Sequence, residues 1–238
     1  MADEIASVVD TRGRILDAAE RLFAQHGLEA TSMRMLSAAA GCNLASTNYH
    51  FGGKEGLIRE VFRRRLTWLN RERLRVLDEM EAAATGRPLK PHLILEAFFG
   101  VALRMAADSE GGGATFMRLL GRTYAEPSQF IRNFLAEEYA AVLERFKRAL
   151  FRALPAVPEA EIVWRLHFML GAMSYAIAGT DALKLIAHCE LDEANPAAAL
   201  APRLMSFLLG GLRAPLPAGC TAQRAKPDAK VRRSRRAA

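Results

Sequence analysis

Apolar residues recur at helical spacing along most of the chain, and this periodicity is the feature that most constrains the fold. In the first segment, Ile15, Leu16, Ala19, Leu22 and Phe23 form one apolar stripe. No run of the sequence alternates apolar with polar residues, and none concentrates Val, Ile and Thr as strands do. The sequence therefore predicts an all-α protein.

Glycine and proline breaks divide this pattern into helices and domains. Helices are predicted at residues 11–26, 31–40, 44–50, 54–84, 93–107, 115–125, 128–154, 159–178 and 196–212. The first three helices are predicted to form an N-terminal domain, and the later ones a C-terminal helical domain. The predicted boundaries are an N-terminal arm (1–11), the N-terminal domain (12–55), the C-terminal domain (56–213) and a basic, disordered tail (214–238).

The net charge of +7 is unevenly distributed along the chain. Residues 12–75 carry twelve Lys and Arg against six Asp and Glu, and residues 213–238 carry eight against one. Residues 76–212 carry thirteen against sixteen. Basic segments on both sides of a mildly acidic centre predict contacts with a polyanion at the ends and a different task in the middle.

The sequence predicts a cytoplasmic protein that does not enter a membrane. No secretory signal is visible, and the longest uncharged, mostly apolar run covers residues 168–180, well short of the ~20 residues that a membrane span needs. Three widely spaced cysteines exclude a disulfide-stapled scaffold. Cys42 is interpreted as a small buried hydrophobe, with a redox role as the alternative.

Two short helices joined by a glycine-containing turn lie inside the first basic segment, as in a helix-turn-helix. In the major groove an Asn amide can bond an adenine edge, and an Ala or Thr methyl can pack on thymine. The candidate base-reading residues are Leu44, Ala45, Ser46, Thr47 and Asn48. The candidate phosphate-binding residues are Thr31, Ser32, Tyr49, His50 and Lys54. Spacing alone leaves open an ordinary helix pair with no role in DNA binding.

About fifty residues of this region resemble the N-terminal domain of TetR-family regulators. The resemblance is carried by Ile15-Leu16-Asp17-Ala18-Ala19, Leu22-Phe23, Gly27, Thr31-Ser32-Met33-Arg34, Ala39-Ala40-Gly41, Asn48-Tyr49-His50-Phe51-Gly52, Lys54, Leu57 and Ile58. It implies a recognition helix over residues 44–49, phosphate contacts by Tyr49, His50 and Lys54, and a symmetric homodimer on a near-palindromic double-stranded DNA operator. Gly56 and the pair Gly52-Gly53 depart from the family pattern where the fourth helix begins.

Residues 116–122 and 164–172 resemble the PsrA-type subgroup of that family, whose members sense long-chain fatty acids or acyl-CoA. The resemblance implies a fatty acid or acyl-CoA as the small apolar effector, and target genes in lipid metabolism. The candidate ligand-binding residues are Phe98, Met105, Phe116, Met117, Leu120, Tyr124, Trp164, His167 and Phe168. Arg118, Arg122, Arg165 or His167 would hold an acidic head group. Ordinary core packing explains most of the same apolar residues.

Small residues recur in the last two long helices, at Ala172, Ala176 and Gly179 and again at 197–201 and Gly210. Small faces permit close approach of helices, so we assign these two helices to a four-helix dimer interface. A contact within one subunit explains the same pattern.

We therefore assign residues 12–55 to an N-terminal helix-turn-helix DNA-binding domain and residues 56–213 to a C-terminal helical ligand-binding and dimerisation domain. We interpret the chain as a ligand-responsive DNA-binding repressor in which the long fourth helix transmits the effector's presence to the DNA-binding domain. No GxSxG, HExxH, P-loop or GxGxxG motif occurs, so no enzyme activity, catalytic residue or cofactor is expected. No metal site is expected either, because residues 188–192 are interpreted as a hydrated connector. The alternatives are a non-specific DNA-binding protein that uses the basic tail and a helical small-molecule carrier.

Overall fold

Helices make up every regular element of the part of the chain that the structure describes, which confirms the predicted all-α class. The structure is a computed structural model, and it describes residues 2–125, 128–178 and 196–217. The helices are α1 (Ala2–His26), α2 (Met33–Ala39), α3 (Leu44–Phe51), α4 (Lys54–Ala83), α5 (Pro91–Leu95), α6 (Val101–Ala107), α7 (Gly113–Ala125), α8 (Gln129–Ala153), α9 (Glu159–Ile177) and α10 (Pro196–Leu212). A π-helical turn, Glu96–Gly100, joins α5 to α6.

Polar side chains fix where several helices begin. Ser32 Oγ accepts a hydrogen bond from the Met35 amide (3.2 Å), and Asn43 Oδ1 accepts one from the Ser46 amide (2.7 Å). Ser128 Oγ accepts from the Ile131 amide (3.3 Å) in the same way. Each cap satisfies an amide that has no partner within the first turn of its helix. Because these signals are local, the starts of α2, α3 and α8 lie within two residues of the predicted ones.

Two predicted elements differ from the observed ones, and one falls largely outside the description. Helix α1 begins at Ala2, so residues 2–11 continue the helix instead of forming a separate arm. The predicted helix 93–107 is interrupted by the π-helical turn between α5 and α6. Residues 214–217 have no regular structure, and the rest of the predicted tail, residues 218–238, lies outside the described residues.

One apolar core runs through the described chain, and α4 is the helix that links its two ends. Near its start, Leu57, Ile58 and Val61 are buried in the group formed with α1, α2 and α3. Further along, Phe62 packs edge to face against Phe116 of α7 (5.8 Å between ring centroids) and Phe134 of α8 (6.3 Å). A single rigid helix therefore belongs to the N-terminal three-helix group and to the C-terminal group at once.

None of the described helices combines the length with the apolar character that crossing a membrane requires.

Candidate DNA-binding surface and ligand cavity

The turn between α2 and α3 is fixed by glycine and by backbone hydrogen bonds. Gly41 has φ of +63°, in the left-handed region that favours glycine, and the Cys42 amide donates to Ser37 O (3.0 Å). At the other end of α3, Gly52 has φ of +69° and its amide donates to Asn48 O (2.8 Å). The start, the end and the direction of α3 are therefore set by residues beside it in the sequence.

The inner face of α3 anchors it to the rest of the domain. Thr47 and Phe51, which lie one helical turn apart, are both buried. The Thr47 hydroxyl lies 2.8 Å from Ser37 Oγ of α2, and either oxygen can donate the hydrogen bond. The guanidinium carbon of Arg12 in α1 lies over the Phe51 ring, 5.4 Å from the centroid of the ring. Fixed in this way, α3 presents its opposite face to solvent.

The outer face of α3 contains most of the predicted DNA-binding residues. Leu44, Ala45, Asn48 and Tyr49 are exposed, while Ser46 and His50 are half-buried. The Tyr49 side chain is 86% exposed. Together these residues form a compact surface of one amide, one phenol and small or apolar groups, which is what reading base edges and thymine methyl groups requires.

The structure corrects the role of two predicted DNA-binding residues. Thr31 is fully buried, and its hydroxyl donates to Gly27 O (2.8 Å) at the end of α1. Thr47 is fully buried as well, and its hydroxyl is used in the contact with Ser37. Neither side chain reaches a surface that DNA can touch. Their hydroxyls hold the domain together instead.

Two predicted phosphate-binding residues have local partners but remain at the surface. Ser32 is exposed, and its hydroxyl caps α2. Lys54 is half-buried, and its Nζ donates to Glu29 O (3.0 Å), which ties the start of α4 to the loop after α1. Arg34 on α2 is a further candidate that sequence reasoning did not select. It is exposed and has no ion pair within the described residues.

Much of the positive charge of residues 12–75 is used inside the protein. Arg64 Nη2 and Arg65 Nη2 donate to the buried carboxylate of Glu20 on α1 (2.6 and 2.9 Å). Arg12 and Arg63 both pair with Glu60. The net charge of this segment therefore overstates the number of cations available to a polyanion.

A cavity of about 180 Å³ lies between α4, the π-helical turn and the helices α6 to α9. Its walls are mainly apolar, with two tyrosines, one serine and one arginine among them. Four of the nine predicted ligand-binding residues line it: Phe98, Met117, Leu120 and Tyr124.

The other five predicted ligand-binding residues lie elsewhere, which corrects their assignment. Met105 and Phe116 are buried in the core but do not line the cavity, and the Phe116 ring packs against Phe62. Trp164, His167 and Phe168 lie on the outer face of α9, where Phe168 is 64% exposed. Sequence periodicity identified them as apolar or aromatic positions, but which face meets the cavity depends on how the helices pack.

None of the residues predicted to hold an acidic head group lines the cavity. Arg118 and His167 are exposed. Arg122 Nη1 donates to Ala24 O (2.8 Å) at the end of α1. Arg165 is buried but is neutralised by Glu161 (2.9 Å), and its Nη1 donates to Leu212 O (2.6 Å). The arginine in the cavity wall is Arg73 of α4.

Sequence reasoning missed Arg73, although a signal was present. The buried positions in this part of α4 are Leu66, Leu69, Asn70, Arg73 and Leu77. This spacing of three and four residues places Arg73 on the apolar stripe of the helix. A charged residue on that stripe differs from its charged neighbours, which face solvent.

Hydrogen bonds and an aromatic ring hold the Arg73 guanidinium in place. Its Nε donates to Phe98 O in the π-helical turn (2.9 Å), and its Nη1 donates to Asn70 Oδ1 (3.3 Å). The guanidinium carbon lies 4.0 Å from the centroid of the Phe98 ring. Beside it, burial raises the pKa of Tyr124 well above its ordinary value, so this phenol is neutral at physiological pH.

The outer face of α9 carries a second, aromatic stripe. Trp164 and Phe168 stack with their ring centroids 5.8 Å apart, and Tyr175 continues the line. Phe207 on α10 is exposed as well. Of the small residues predicted to form a dimer interface, Ala172 and Ala176 are half-buried and Gly210 is exposed. Gly179 and the side chains of residues 197–198 lie outside the described residues.

Among the described residues, no group of His, Cys, Asp and Glu side chains is arranged to hold a metal ion. The segment of residues 188–192, which contains His188, Cys189, Glu190 and Asp192, lies outside them.

Two family models match the chain, one near its N-terminus and one over a later, longer stretch. A model described as bacterial regulatory proteins of the tetR family matches residues 15–61, which take in the C-terminal part of α1, all of α2 and α3, and the start of α4. A model described as the Tetracyclin repressor-like C-terminal domain matches residues 96–211, from the π-helical turn into α10. Both descriptions are of regulatory proteins, in agreement with the expectation that the chain is not an enzyme.

Individual relatives point in the same direction. The transcriptional repressor KstR2 of Mycobacterium tuberculosis is 38% identical over 68 residues, which are 28% of this chain and 34% of KstR2, so the match spans about a third of that relative. The solved structure of the fatty acid degradation regulator FadR from Bacillus halodurans superposes with a TM-score of 0.56 at 15% identity, over 84% of this chain and 99% of FadR. The complex of SmeT from Stenotrophomonas maltophilia with triclosan gives a TM-score of 0.56 at 18% identity, over 92% of this chain and 99% of SmeT. Because the two models together cover more than half of the chain and the helix-turn-helix lies within the first of them, the chain belongs to the TetR family of regulatory proteins.

Proposed function

We propose that this protein is a transcriptional repressor that binds a near-palindromic operator as a homodimer in the cytoplasm and leaves it when a small apolar effector binds. The outer face of α3 carries the proposal. Asn48 and Tyr49 are exposed there, while Thr47 and Phe51 fix the helix from behind. An exposed Asn can bond both N6 and N7 of an adenine in the major groove, and a rigid helix brings it there at no further ordering cost.

Substituting Asn48 tests the assignment of α3 as the recognition helix. An operator is first selected by the wild-type protein from a randomised duplex library, and affinities are then measured by fluorescence anisotropy. Asn48→Ala is expected to lose ~1–3 kcal/mol of operator affinity, about 5- to 150-fold, because one bidentate base contact disappears. Asn133→Ala, which removes an exposed amide from α8, serves as the matched control.

The expected control result is wild-type affinity for Asn133→Ala. Wild-type affinity and base preference in Asn48→Ala, with an unchanged circular dichroism spectrum, would contradict the assignment.

The aromatic stripe of α9 supports the homodimer. Trp164, Phe168 and Tyr175, with Phe207 of α10, leave large apolar side chains in solvent on a single subunit, and such patches mark interaction surfaces. A symmetric dimer would cover them and place two copies of α3 side by side. One short helix reads few base pairs, so two half-sites roughly 34–36 Å apart are needed for useful specificity.

Charge insertion into this stripe tests the dimer. The double variant Phe168→Glu, Phe207→Glu is expected to have the mass of a monomer by light scattering coupled to size exclusion, because buried unpaired carboxylates are costly. Tyr49→Glu introduces the same change on an exposed aromatic residue of α3 and is expected to remain dimeric. A dimeric double variant would place the interface elsewhere.

Two walls of the cavity also hold the DNA-binding domain, which supports release by an effector. Helix α7 is tied to the end of α1 through Arg122 and Ala24 O (2.8 Å). Helix α4 is tied to Glu20 of α1 through Arg64 and Arg65. A ligand that shifts either wall displaces α1 and, with it, α3. Coupling energies of this kind are typically ~1–3 kcal/mol.

The relatives favour an apolar small molecule as the effector. SmeT has been solved with triclosan, and FadR is described as a fatty acid degradation regulator. The resemblance of residues 116–122 and 164–172 to the PsrA-type subgroup adds fatty acids or acyl-CoA as effectors and genes of lipid metabolism as targets. The lining of the cavity, with four of the predicted apolar residues, is compatible with this class.

A further inference from the structure

We propose that the cavity binds a compact free carboxylic acid whose carboxylate is held by Arg73 and Tyr139 and whose apolar body lies against Phe98, Met117 and Leu120. The inference rests on the proposed function, because it specifies the effector class of the same cavity. It also assigns the acidic head group to Arg73 instead of Arg118, Arg122, Arg165 or His167, the side chains expected from sequence.

The first observation is a buried cation without a counter-charge. Arg73 is 4% exposed and has no ion pair within the described residues. The other buried arginine, Arg165, pairs with Glu161 at 2.9 Å. An unpaired charge in an apolar interior is costly, and proteins usually avoid it by pairing. The missing anion is therefore expected to come from a ligand.

The second observation is a pair of unused donors at the same place. Arg73 donates from Nε and Nη1, whereas its Nη2 forms no hydrogen bond with any described residue. The Tyr139 hydroxyl is buried in a side chain that is 5% exposed, and the polar group beside it is the Tyr124 phenol, whose pKa it helps to raise. Arg73 and Tyr139 both line the cavity, and the Arg73 guanidinium carbon lies 5.8 Å from the Tyr139 ring centroid. Only one of the two phenols can donate to the other, so one phenol O–H and Arg73 Nη2 remain for an acceptor that a ligand would supply.

The chemistry of these donors selects a carboxylate. A guanidinium only donates, and a phenol O–H can donate as well as accept, so both groups can donate to a carboxylate. No Asp, Glu or His is among the described residues that line the cavity, so nothing there repels an anion. Tyr124 adds no negative charge, because burial raises its pKa. A neutral alcohol would satisfy one donor but would leave the charge uncompensated.

The volume of the cavity limits the size of the apolar part of the ligand. Its volume of about 180 Å³ is slightly larger than the ~150 Å³ cavity that accommodates benzene in another protein. This space suits one ring or a chain of about six to eight carbons. An acyl-CoA has no free carboxylate and carries a bulky nucleotide, so it fits neither the donors nor the volume. Exposed side chains of Ala136 and Leu143 in the lining mark where the acid enters.

The test compares acids with neutral molecules of the same shape. Isothermal titration of the full chain is performed with benzoate and octanoate, with benzyl alcohol and 1-octanol, and with octanoyl-CoA. At least one acid is expected to bind at least ~10-fold tighter than its alcohol, since a charge-assisted hydrogen bond replaces a neutral one. Octanoyl-CoA is expected not to bind more tightly than 1-octanol.

Two variants then test whether Arg73 and Tyr139 hold the carboxylate. Arg73→Met is expected to weaken binding of the acid ~10- to 100-fold and to leave binding of the alcohol nearly unchanged. Tyr139→Phe removes one hydroxyl and keeps the ring that packs in the core, so it is expected to keep the fold and to weaken binding of the acid ~10-fold. Arg118→Met, an exposed position on α7, is the matched control and is expected to bind like the wild type.

Three results would overturn the proposal: no binding of either acid, equal affinity of acids and alcohols, or an unchanged preference for acids in both Arg73→Met and Tyr139→Phe. If Arg73→Met does not fold, the wild-type comparison and Tyr139→Phe decide the question. Operator affinity is measured separately with the acid present. An acid that binds through Arg73 without weakening operator binding supports the carboxylate site and contradicts release by an effector. The proposed site and the proposed function can therefore fail independently.

Discussion

Gly56 occupies the first turn of α4, a position where glycine is a poor helix former. A Cβ at this position would overlap the carbonyl oxygen of Phe51 and lie 3.1 Å from its carbonyl carbon. Phe51 is the last residue of α3, so the missing side chain lets α4 begin directly against the end of α3. This close approach explains why the chain departs from the family pattern at Gly56.

Substituting this glycine by alanine tests the close approach. Gly56→Ala is expected to destabilise the protein by ~1–3 kcal/mol, because the backbone of Phe51 must move to admit the methyl group. Gly13→Ala in α1 is the matched control, since nothing lies within 4 Å of its Cβ position. There alanine is expected to stabilise by ~0.5–1 kcal/mol through helix propensity. Urea denaturation measures the free energy of unfolding of both variants. Equal stability of the two would contradict a close approach at Gly56.

At the scale of elements, a buried carboxylate ties α1 to α4. Glu20 accepts from Arg64 Nη2 (2.6 Å), Arg65 Nε (3.1 Å) and Arg65 Nη2 (2.9 Å). Asp17, one turn earlier, accepts from Arg64 Nη1 (2.7 Å). Arg73 lies further along the same α4, so one helix carries both the attachment to the DNA-binding domain and the cationic wall of the cavity.

Neutralising Glu20 is expected to weaken this attachment. Glu20→Gln should cost ~1–3 kcal/mol of stability, because a charged acceptor of several hydrogen bonds becomes a neutral one while two arginines keep their charge. Glu79→Gln removes the exposed partner of Arg75 and is expected to change stability by less than ~0.5 kcal/mol. Thermal denaturation followed by circular dichroism compares the stability of the two variants with that of the wild type. A loss no greater in Glu20→Gln than in Glu79→Gln would show that the attachment contributes little.

Element boundaries followed from local signals, whereas the direction of side chains did not. Ser32 and Asn43 are caps whose effect depends on residues three positions away, so sequence alone predicted the starts of α2 and α3 closely. Thr47 is a polar residue of a type that usually lies at the surface, and its burial depends on Ser37 of another helix. The sequence of α9 is apolar on both faces, so periodicity could not distinguish Phe168, which is exposed, from Met169, which is buried.

The same reasoning explains which cavity-lining residues were predicted from the sequence and which one was not. Met117, Leu120 and Tyr124 share one face of α7 and line the cavity, and their role in binding an effector stays a prediction. Arg73 escaped prediction because it lies among charged residues and becomes distinctive only when the buried stripe of α4 is known. Long-range packing, which a single sequence does not show, decides which polar residue faces the cavity.

At the scale of the whole molecule, α7 connects the cavity to the DNA-binding domain through Arg122. Its Nη1 donates to Ala24 O (2.8 Å) and Gln25 O (3.3 Å), carbonyls in the last turn of α1. Arg122→Met removes this attachment and leaves the cavity lining and α3 in place. Operator affinity is measured with and without a saturating effector acid. The wild type is expected to lose about 5- to 150-fold on addition of the acid, and Arg122→Met considerably less.

Arg118→Met is the control for this comparison, because Arg118 lies on the same helix but is exposed. It is expected to respond to the acid as the wild type does. A full response in Arg122→Met, with operator and acid affinities both unchanged, would mean that coupling runs through α4 alone.

The central claim is that two copies of α3 read two half-sites of one operator, and hydroxyl-radical footprinting tests it most directly. On the selected operator, the wild-type dimer is expected to protect two patches on one face of the duplex, with centres about one helical turn, roughly 34–36 Å, apart. Asn48→Ala should lose both patches at the same protein concentration. Continuous protection along the DNA, independent of sequence and equally strong in Asn48→Ala, would contradict the claim and favour non-specific binding through the basic tail.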